Sequence, residues 1–139
     1  MAEARMNTLS VSQLSTLRWD LESDVLAYAK HGFRGIGLYR PKVEDYGLER
    51  TIELLEEHSM RATSLSWVGG FTGSDGRPFE DAVSDAVNAV IQAARLRADT
   101  LIVLAGGKNN HIKTHLSRTL CLALGRLAAV ASEHGIQLA

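Results

Sequence analysis

The chain has 139 residues, enough for one domain that buries a core without disulfides or a metal. Its 15 lysines and arginines nearly balance its 16 aspartates and glutamates, and no run of five like charges occurs. This balance argues against a nucleic-acid or membrane-surface partner. The opening segment MAEARMNTLS lacks the apolar core of a signal peptide, and the single Cys121 has no partner for an internal disulfide. The sequence therefore indicates a soluble, cytoplasmic protein.

Segments with helical periodicity alternate with short strand-like segments. A first strand is predicted near Asn7–Val11, and later strands in HGFRGIGLYR, HSMRATSLSW, LRADTLIVLAGG and HGIQLA. Asp20 is placed to cap the first helix and Gly32 to close it, while Leu48 lies in a shorter second helix and Pro78 opens a third. Apolar residues at helical spacing are predicted to face the protein interior. They are Leu21, Val25, Leu26, Ala29, Ile52, Leu55, Val83, Val87, Val90, Ile91, Ala94, Leu116, Leu120, Leu124, Leu127 and Ala131. The order β-α-β-α-β-α-β-α-β indicates a parallel sheet with right-handed crossovers.

Two α/β architectures have this order, a doubly wound open sheet and a (β/α)8 barrel. A doubly wound nucleotide-binding sheet carries a glycine-rich turn after an early strand, whereas none follows the first strand here, and LAGGKNN matches neither GxGxxG nor a P-loop. Alternate strand positions are small or polar, namely Gly35, Gly37, Tyr39, Ser64 and Ser66, and the other set, which includes Thr63 and Leu65, is mostly apolar. Because strands of an open parallel sheet are apolar on both faces, this pattern favours a barrel whose interior has room for a ligand.

The segment HGFRGIGLYRPKVEDYGLERTIELLEEHSMRATSLSW contains a helix ending in a Gly-Phe pair, a strand, a Gly-led helix and a further strand. TLIVLAGG and EHGIQLA continue the order through the fourth strand and into the fifth. In this order and spacing, the chain from about Met6 resembles the sugar phosphate isomerase/epimerase family, the xylose isomerase-like TIM barrels. It departs from many relatives late in the second strand, where they carry a Glu and this sequence has Gly37 and Leu38.

The resemblance covers about four βα units and the start of strand five, while a complete barrel needs about 250 residues. We therefore expect residues 1–139 to be the N-terminal half of such a barrel, as a truncated chain or as a half-barrel. A homodimer that covers the open sheet edges is the alternative to a fragment. In the family a divalent metal ion (Mn, Mg or Zn) is held by carboxylates and a histidine on strand five and later. The resemblance thus implies no metal ligand and no catalytic residue in this chain.

Sites in this fold lie on the loops that follow the strands. Tyr39 and Arg40 end the second strand, and Arg40 suits a carboxylate or phosphate, although a surface arginine beside Pro41 is equally ordinary. Ser66 and Trp67 follow on the third strand, where Trp67 either stacks on a sugar ring or packs within the protein. The glycine-rich GGFTGSDG after them is predicted to act as a lid. We predict that Tyr39, Arg40, Ser66 and Trp67 contact substrate.

His111 and His115 follow the fourth strand and are spaced four residues apart. If this loop has already turned helical, both side chains share one face, an arrangement that suits a metal or a phosphate group. No acidic residue stands near enough in sequence to complete a metal site, and two ordinary surface histidines are the other interpretation. We predict both as residues of the substrate pocket.

The resemblance implies a metal-dependent sugar or sugar-phosphate isomerase or epimerase, in which a proton moves next to a carbonyl group. This chain would supply pocket walls, a lid and substrate contacts, and it would be inactive alone. A non-catalytic half-barrel module that dimerises and an inosose dehydratase-like lyase are the alternatives. An apurinic endonuclease is disfavoured because the near-neutral charge offers no basic DNA-binding surface.

Overall fold

The computed structural model describes residues 9–139, which form a five-stranded, fully parallel sheet with the strands in sequence order. The strands are β1 (Ser10–Ser12), β2 (Gly35–Tyr39), β3 (Arg61–Gly69), β4 (Thr100–Leu104) and β5 (Gln137–Leu138). Parallel strands need crossover connections, and a helix lies in each of the four connections here. The predicted alternation is confirmed. Of the predicted first strand, Asn7 lies outside the described residues, and the strand itself is Ser10–Ser12.

Five α-helices cover one face of the sheet. They are α1 (Leu21–Lys30), α2 (Arg40–Tyr46), α3 (Leu48–Glu57), α4 (Phe79–Arg95) and α5 (Lys113–Glu133), and a short 3₁₀ turn spans Gln13–Thr16. Asp20 caps α1 as predicted, because its Oδ1 accepts the backbone N–H of Ser23 at 2.7 Å. Helix α2 is not among the helices predicted from the sequence. Pro41 in its first turn is compatible with a helix start, and Gly47 at φ 100° separates α2 from α3.

The strand register sorts side chains onto two faces. The helix-covered face carries Val11, Ile36, Leu38, Ala62, Leu65, Val68, Leu101 and Val103, most of them fully buried. The opposite face carries Ser10, Ser12, Gly35, Gly37, Tyr39, Ser64, Ser66, Thr100, Ile102 and Gln137. Thr63 was predicted to share a face with Leu65, but the register shifts beside it, and its hydroxyl lies 2.6 Å from Ser10 Oγ. The small and polar residues line the concave interior that a barrel fold would enclose.

The five strands and their helices make half of a (β/α)8 barrel. Within residues 9–139, β1 pairs only with β2, and β5 pairs only with β4. Over the same residues, no helix is both long enough and apolar enough to cross a membrane. The carboxyl ends of all strands lie at one edge of the sheet, which brings together the loops that follow them.

Candidate functional site

Two aromatic side chains meet where β2 and β3 end. Tyr39 is the last residue of β2 and is in register with Ser66 of β3. The register of β3 against β4 shifts between Ser66 and Val68, so Trp67 is the extra residue at this position. The ring centroids of Tyr39 and Trp67 lie 5.5 Å apart with their planes tilted by 47°, and Trp67 is 43% exposed. The structure thus brings together three of the predicted site residues and leaves Trp67 partly exposed to solvent.

A cavity of about 460 Å³ opens beside Tyr39, at the carboxyl ends of β1 and β2. Its volume falls within the range of small-molecule sites. The walls are mainly aromatic and aliphatic, with two carboxylates and one lysine: Leu17, Trp19, Asp20, Leu21, Tyr39, Pro41, Lys42, Asp45 and Tyr46. Only Tyr39 among these was predicted from the sequence. Tyr39 therefore joins this cavity to Trp67, and we call the cavity together with Ser66 and Trp67 the aromatic site.

A buried hydrogen-bond network holds Tyr39 and Lys42 in place. Gln13, which is fully buried, accepts the backbone N–H of Tyr39 at its Oε1 (2.7 Å) and donates from Nε2 to Asp24 Oδ2 (2.9 Å). Lys42 Nζ donates to the same Asp24 oxygen at 2.7 Å and to the Thr16 carbonyl at 2.8 Å. These bonds link the 3₁₀ turn, α1 and α2 to the end of β2. The wall of the aromatic site is therefore preorganised.

Thr16 and Tyr28 extend this network toward α1. The Thr16 hydroxyl donates to Asp24 Oδ1 at 2.6 Å and also contacts the Tyr28 hydroxyl. Burial raises the pKa of the Tyr28 hydroxyl, its hydrogen bond with the Thr16 hydroxyl opposes that shift, and the charge of Asp24 adds to it. Tyr28 therefore stays protonated over the physiological range and acts as a hydrogen-bonding group.

Arg40 lies apart from the aromatic site although it follows Tyr39 directly. Its guanidinium donates to both carboxylate oxygens of Asp85 at 2.9 and 2.8 Å, and its Nε donates to Gln92 Oε1 at 2.8 Å. Asp85 and Gln92 belong to α4, so Arg40 binds α2 to α4, with only 10% of its side chain exposed. Hydrogen bonds from Arg40, and secondarily from Arg77, lower the pKa of Asp85, and burial partly opposes them. The positive charge of Arg40 is therefore already paired.

The glycine-rich loop that was expected to act as a lid is tied down at several points. Arg77 donates to Asp75 Oδ2 at 2.8 Å and to the Gly69 carbonyl at 2.9 Å. Hydrogen bonds from Arg77 lower the pKa of Asp75. Phe71 is buried, and its backbone N–H donates to the Ala105 carbonyl at 2.9 Å. In this structure the loop lies against the end of β4.

His111 and His115 line a second cavity of about 310 Å³, between the glycine-rich loop and the start of α5. Their ring centroids lie 5.0 Å apart, although only His115 is within the helix. His111 Nε2 lies 2.7 Å from the Thr72 carbonyl oxygen. The remaining walls are Phe71, Thr72, Gly73, Phe79, Thr119 and Leu122. Since this cavity shares no lining residue with the cavity beside Tyr39, the six predicted residues fall into separate places.

The donor groups of residues 9–139 do not fit the metal site of the resembling family. That site would need carboxylates and a histidine around one ion, and residues 9–139 contain no cluster of three His, Cys, Asp or Glu side chains that could hold a metal. The buried carboxylate of Asp24 is occupied by Lys42, Gln13 and Thr16.

Comparison with known proteins now places the fold in a family. The profile of the xylose isomerase-like TIM barrel matches residues 25–139, and the chain belongs to this family. No curated protein sequence matches the chain. Protein SMc04130 from Sinorhizobium meliloti 1021 has a similar structure, with a TM-score of 0.84 and 28% identity over 94% of this chain and 49% of that one.

Two more distant structures share the fold. The zinc-binding IOLI protein superposes with a TM-score of 0.78 at 16% identity, covering 94% of this chain and 49% of its own. D-Psicose 3-epimerase from Clostridium cellulolyticum H10, solved with D-tagatose, gives a TM-score of 0.68 at 12% identity, covering 86% of this chain and 46% of its own. The chain spans about half the length of these three structures, in agreement with the half-barrel.

Proposed function

We propose that the aromatic site binds the ring or open chain of a sugar and forms one wall of the substrate pocket of an isomerase- or epimerase-type barrel. The observation that supports this proposal most directly is the Tyr39–Trp67 pair at the strand ends. Tyr39 also lines the cavity of about 460 Å³. The serine- and glycine-rich interior face below it leaves room for hydroxyl groups. Aromatic faces next to polar hydrogen-bonding groups are the usual lining of small-molecule sites.

The charges near the site favour an unphosphorylated sugar over a sugar phosphate. Lys42, the cation in the cavity wall, is bonded to Asp24, and Arg40 is bonded to both oxygens of Asp85. Recruiting either cation to a phosphate would leave a buried or half-buried carboxylate without its partner. Asp20 and Asp45, which also line the cavity, would repel a phosphate.

The role proposed for this chain is to bind and orient substrate. Proton transfer next to a carbonyl needs an acid and a base, and the resemblance assigns those carboxylates to strand five and later. We therefore expect no turnover by these 139 residues alone. A lyase of the inosose dehydratase type is the alternative activity, and a probable 3-DHS dehydratase from Bacillus anthracis has a similar fold. An inosose that binds the aromatic site more tightly than keto-hexoses would favour the lyase.

The two tryptophans provide a direct test, because Trp19 and Trp67 are the only ones in the chain and both lie in the aromatic site. The ¹⁵N-labelled chain would be titrated with D-tagatose, D-tagatose 6-phosphate and an inosose, and the two indole N–H signals followed by NMR. We expect both signals to shift in a saturable manner with D-tagatose and less with its phosphate.

Trp67→Ala should weaken D-tagatose binding at least about tenfold, equivalent to about 1.4 kcal/mol, measured from the Trp19 signal. Ile91→Ala, which shortens an exposed apolar side chain on α4, is the matched control and should leave affinity unchanged. If neither indole signal responds to any of the three ligands, the substrate-binding proposal fails.

A second candidate is a non-catalytic half-barrel that dimerises. It is favoured by the one-sided pairing of β1 and β5 within residues 9–139 and by exposed leucines on α5, Leu122 and Leu124. Sedimentation equilibrium of the untagged chain would decide the point. A dimer that Leu124→Glu converts to monomer, while Glu133→Lys leaves it intact, supports the module. A monomer at all concentrations contradicts it.

A further inference from the structure

The proposed function leaves His111 and His115 unused. These two imidazoles come from different backbone contexts, since His111 precedes α5 and His115 lies in its first turn. Their ring centroids nevertheless approach to 5.0 Å with a tilt of 43°. The pair lies at the wall of the 310 Å³ cavity, against the glycine-rich loop. The spacing of the two rings therefore depends on how the loop and the helix pack, and not on helical periodicity alone.

The separation of the rings matches a known coordination geometry. Imidazole nitrogens bind zinc at about 2.0–2.1 Å, and two of them in adjacent tetrahedral positions hold their ring centroids about 5 Å apart. The rings of His111 and His115 already have this separation.

The environment of His111 fixes which of its nitrogens is free. Its Nε2 lies 2.7 Å from the Thr72 carbonyl oxygen, and a nitrogen that faces a carbonyl carries the proton and donates it. In the neutral ring, Nδ1 then keeps the lone pair. A histidine that donates one N–H to a backbone carbonyl and offers the other nitrogen to an ion is the common arrangement in metal sites.

We propose that His111 Nδ1 and one ring nitrogen of His115 chelate a divalent transition-metal ion, zinc or copper, with water completing the coordination shell. Both ligands belong to the loop and the helix that follow β4. Two protein ligands predict weaker and more exchangeable binding than the three or four of catalytic and structural zinc sites. Copper should bind more tightly than zinc, following the usual order of divalent affinities.

A bound ion would link the start of α5 to the glycine-rich loop. His111 already holds the carbonyl of Thr72, whose side chain is buried. Fixing the His111 ring on an ion also fixes the donor of that hydrogen bond. Metal binding should therefore reduce opening of the loop, and hydrogen exchange at Gly73 and Gly76 is a suitable readout.

The test is isothermal titration of the untagged 139-residue chain with zinc chloride, repeated with copper chloride. His115→Ala is the main variant, because His111 also anchors the loop and its removal loosens the loop by itself. We expect His115→Ala to weaken zinc binding at least about tenfold, about 1.4 kcal/mol. His134→Ala, which removes an exposed histidine at the other end of α5, is the control and should bind as the parent does.

A second measurement separates a specific site from general histidine binding. Zinc should slow hydrogen exchange of the glycine-rich loop in the parent chain and in His134→Ala, but not in His115→Ala. Unchanged zinc affinity in His115→Ala would overturn the proposal, as would an equal loss in His134→Ala. The aromatic site shares no residue with this site, so the sugar titration and the metal titration succeed or fail independently.

Discussion

Asp24 and Lys42 form an ion pair inside the protein, with Lys42 Nζ 2.7 Å from Asp24 Oδ2. Asp24 is fully buried and Lys42 is 9% exposed, so little solvent screens the pair. Both groups are also hydrogen-bonded to neutral partners, Gln13 and Thr16 among them. A buried pair of this kind specifies how α1 and α2 meet, because any other packing would leave a charge unpaired.

Removing one member of this pair should destabilise the fold strongly. Asp24→Ala leaves the Lys42 ammonium buried without a counter-charge, and we expect a loss of about 3–5 kcal/mol in the free energy of unfolding, measured by urea denaturation. Glu22→Ala changes an exposed carboxylate on the same helix and should alter stability by less than about 0.5 kcal/mol. A loss below about 1 kcal/mol in Asp24→Ala would contradict the assigned role.

The Asp85–Arg40 pair predicts a pH dependence of stability. Arg40, and secondarily Arg77, lower the pKa of Asp85 below its ordinary value of 3.8 in the folded state. A carboxylate with a lowered pKa stabilises the protein above its unfolded-state pKa, and this contribution disappears as the pH falls through the folded-state value.

We therefore expect Asp85→Asn to lower the free energy of unfolding by about 1 kcal/mol at neutral pH. The effect is modest because Asp85 is partly exposed. The difference between parent and variant should shrink as the pH falls below about 4. Urea unfolding of both proteins between neutral and acid pH measures it. Asp81→Asn, an exposed carboxylate one turn earlier on α4, is the control, and a gap that does not narrow in acid would count against the mechanism.

Substitution by alanine at two glycine positions should change the stability of the protein in opposite directions. Gly69 has φ +140°, and a Cβ at this position would lie 1.7 Å from the Leu104 carbonyl oxygen. Gly69→Ala should therefore lower the free energy of unfolding by about 3 kcal/mol or more, because either β3 or β4 must move. Gly125 lies in the exposed middle of α5 with no atom within 4 Å of a built Cβ, so Gly125→Ala should stabilise by about 0.5–1 kcal/mol. Thermal unfolding of the two variants tests both signs.

The alternation of strands and helices could be predicted because each segment carries its own periodicity. Helix α2 could not, since it has seven residues and no apolar stripe. Its inner face is built from Val43 and from two charged residues, Arg40 and Lys42, which are buried only because Asp85 and Asp24 neutralise them. Those partners stand far away in sequence. From the sequence alone, a charged residue that pairs within the fold cannot be told from a solvent-exposed one.

Apolar spacing also overestimated how much of each helix is covered. Leu26, Ile91 and Leu124 were predicted to face inward, yet they are 46%, 41% and 38% exposed. On α5 the buried positions are Ala123, Leu127 and Ala131, so the contact face is narrower than the apolar stripe and is displaced from Leu124 by one residue.

The site was predicted in part for a similar reason. Tyr39, Ser66 and Trp67 could be found because strand ends mark the functional edge of this fold. Trp19 and Tyr46 were missed, although both line the cavity beside Tyr39. Trp19 lies in the loop before α1 and Tyr46 at the end of α2, so their approach depends on tertiary packing. The sequence signal that could have identified Trp19 and Tyr46 is an aromatic residue in the segment that follows a predicted strand.

Gln13 offers the sharpest test of the buried network below Tyr39. Gln13→Glu keeps the Oε1 acceptor for the Tyr39 N–H but replaces the Nε2 donor, 2.9 Å from Asp24 Oδ2, with a second carboxylate oxygen. Two carboxylates in contact repel each other, so we expect Gln13→Glu to lower the free energy of unfolding by about 2–3 kcal/mol at neutral pH. Protonation of the introduced carboxylate would restore a donor, and the loss should therefore shrink as the pH falls from about 7 to about 5.

Urea unfolding across this pH range measures the effect of Gln13→Glu, with the exposed Gln137→Glu as the matched control. The same variant should weaken D-tagatose binding at the Trp67 indole signal at neutral pH, since Gln13 sets the position of Tyr39 and the Tyr39 ring contacts Trp67. A variant that is destabilised but binds D-tagatose normally would show that the network supports the fold alone. If the loss of stability in Gln13→Glu stays constant with pH, Asp24 and the introduced carboxylate do not interact.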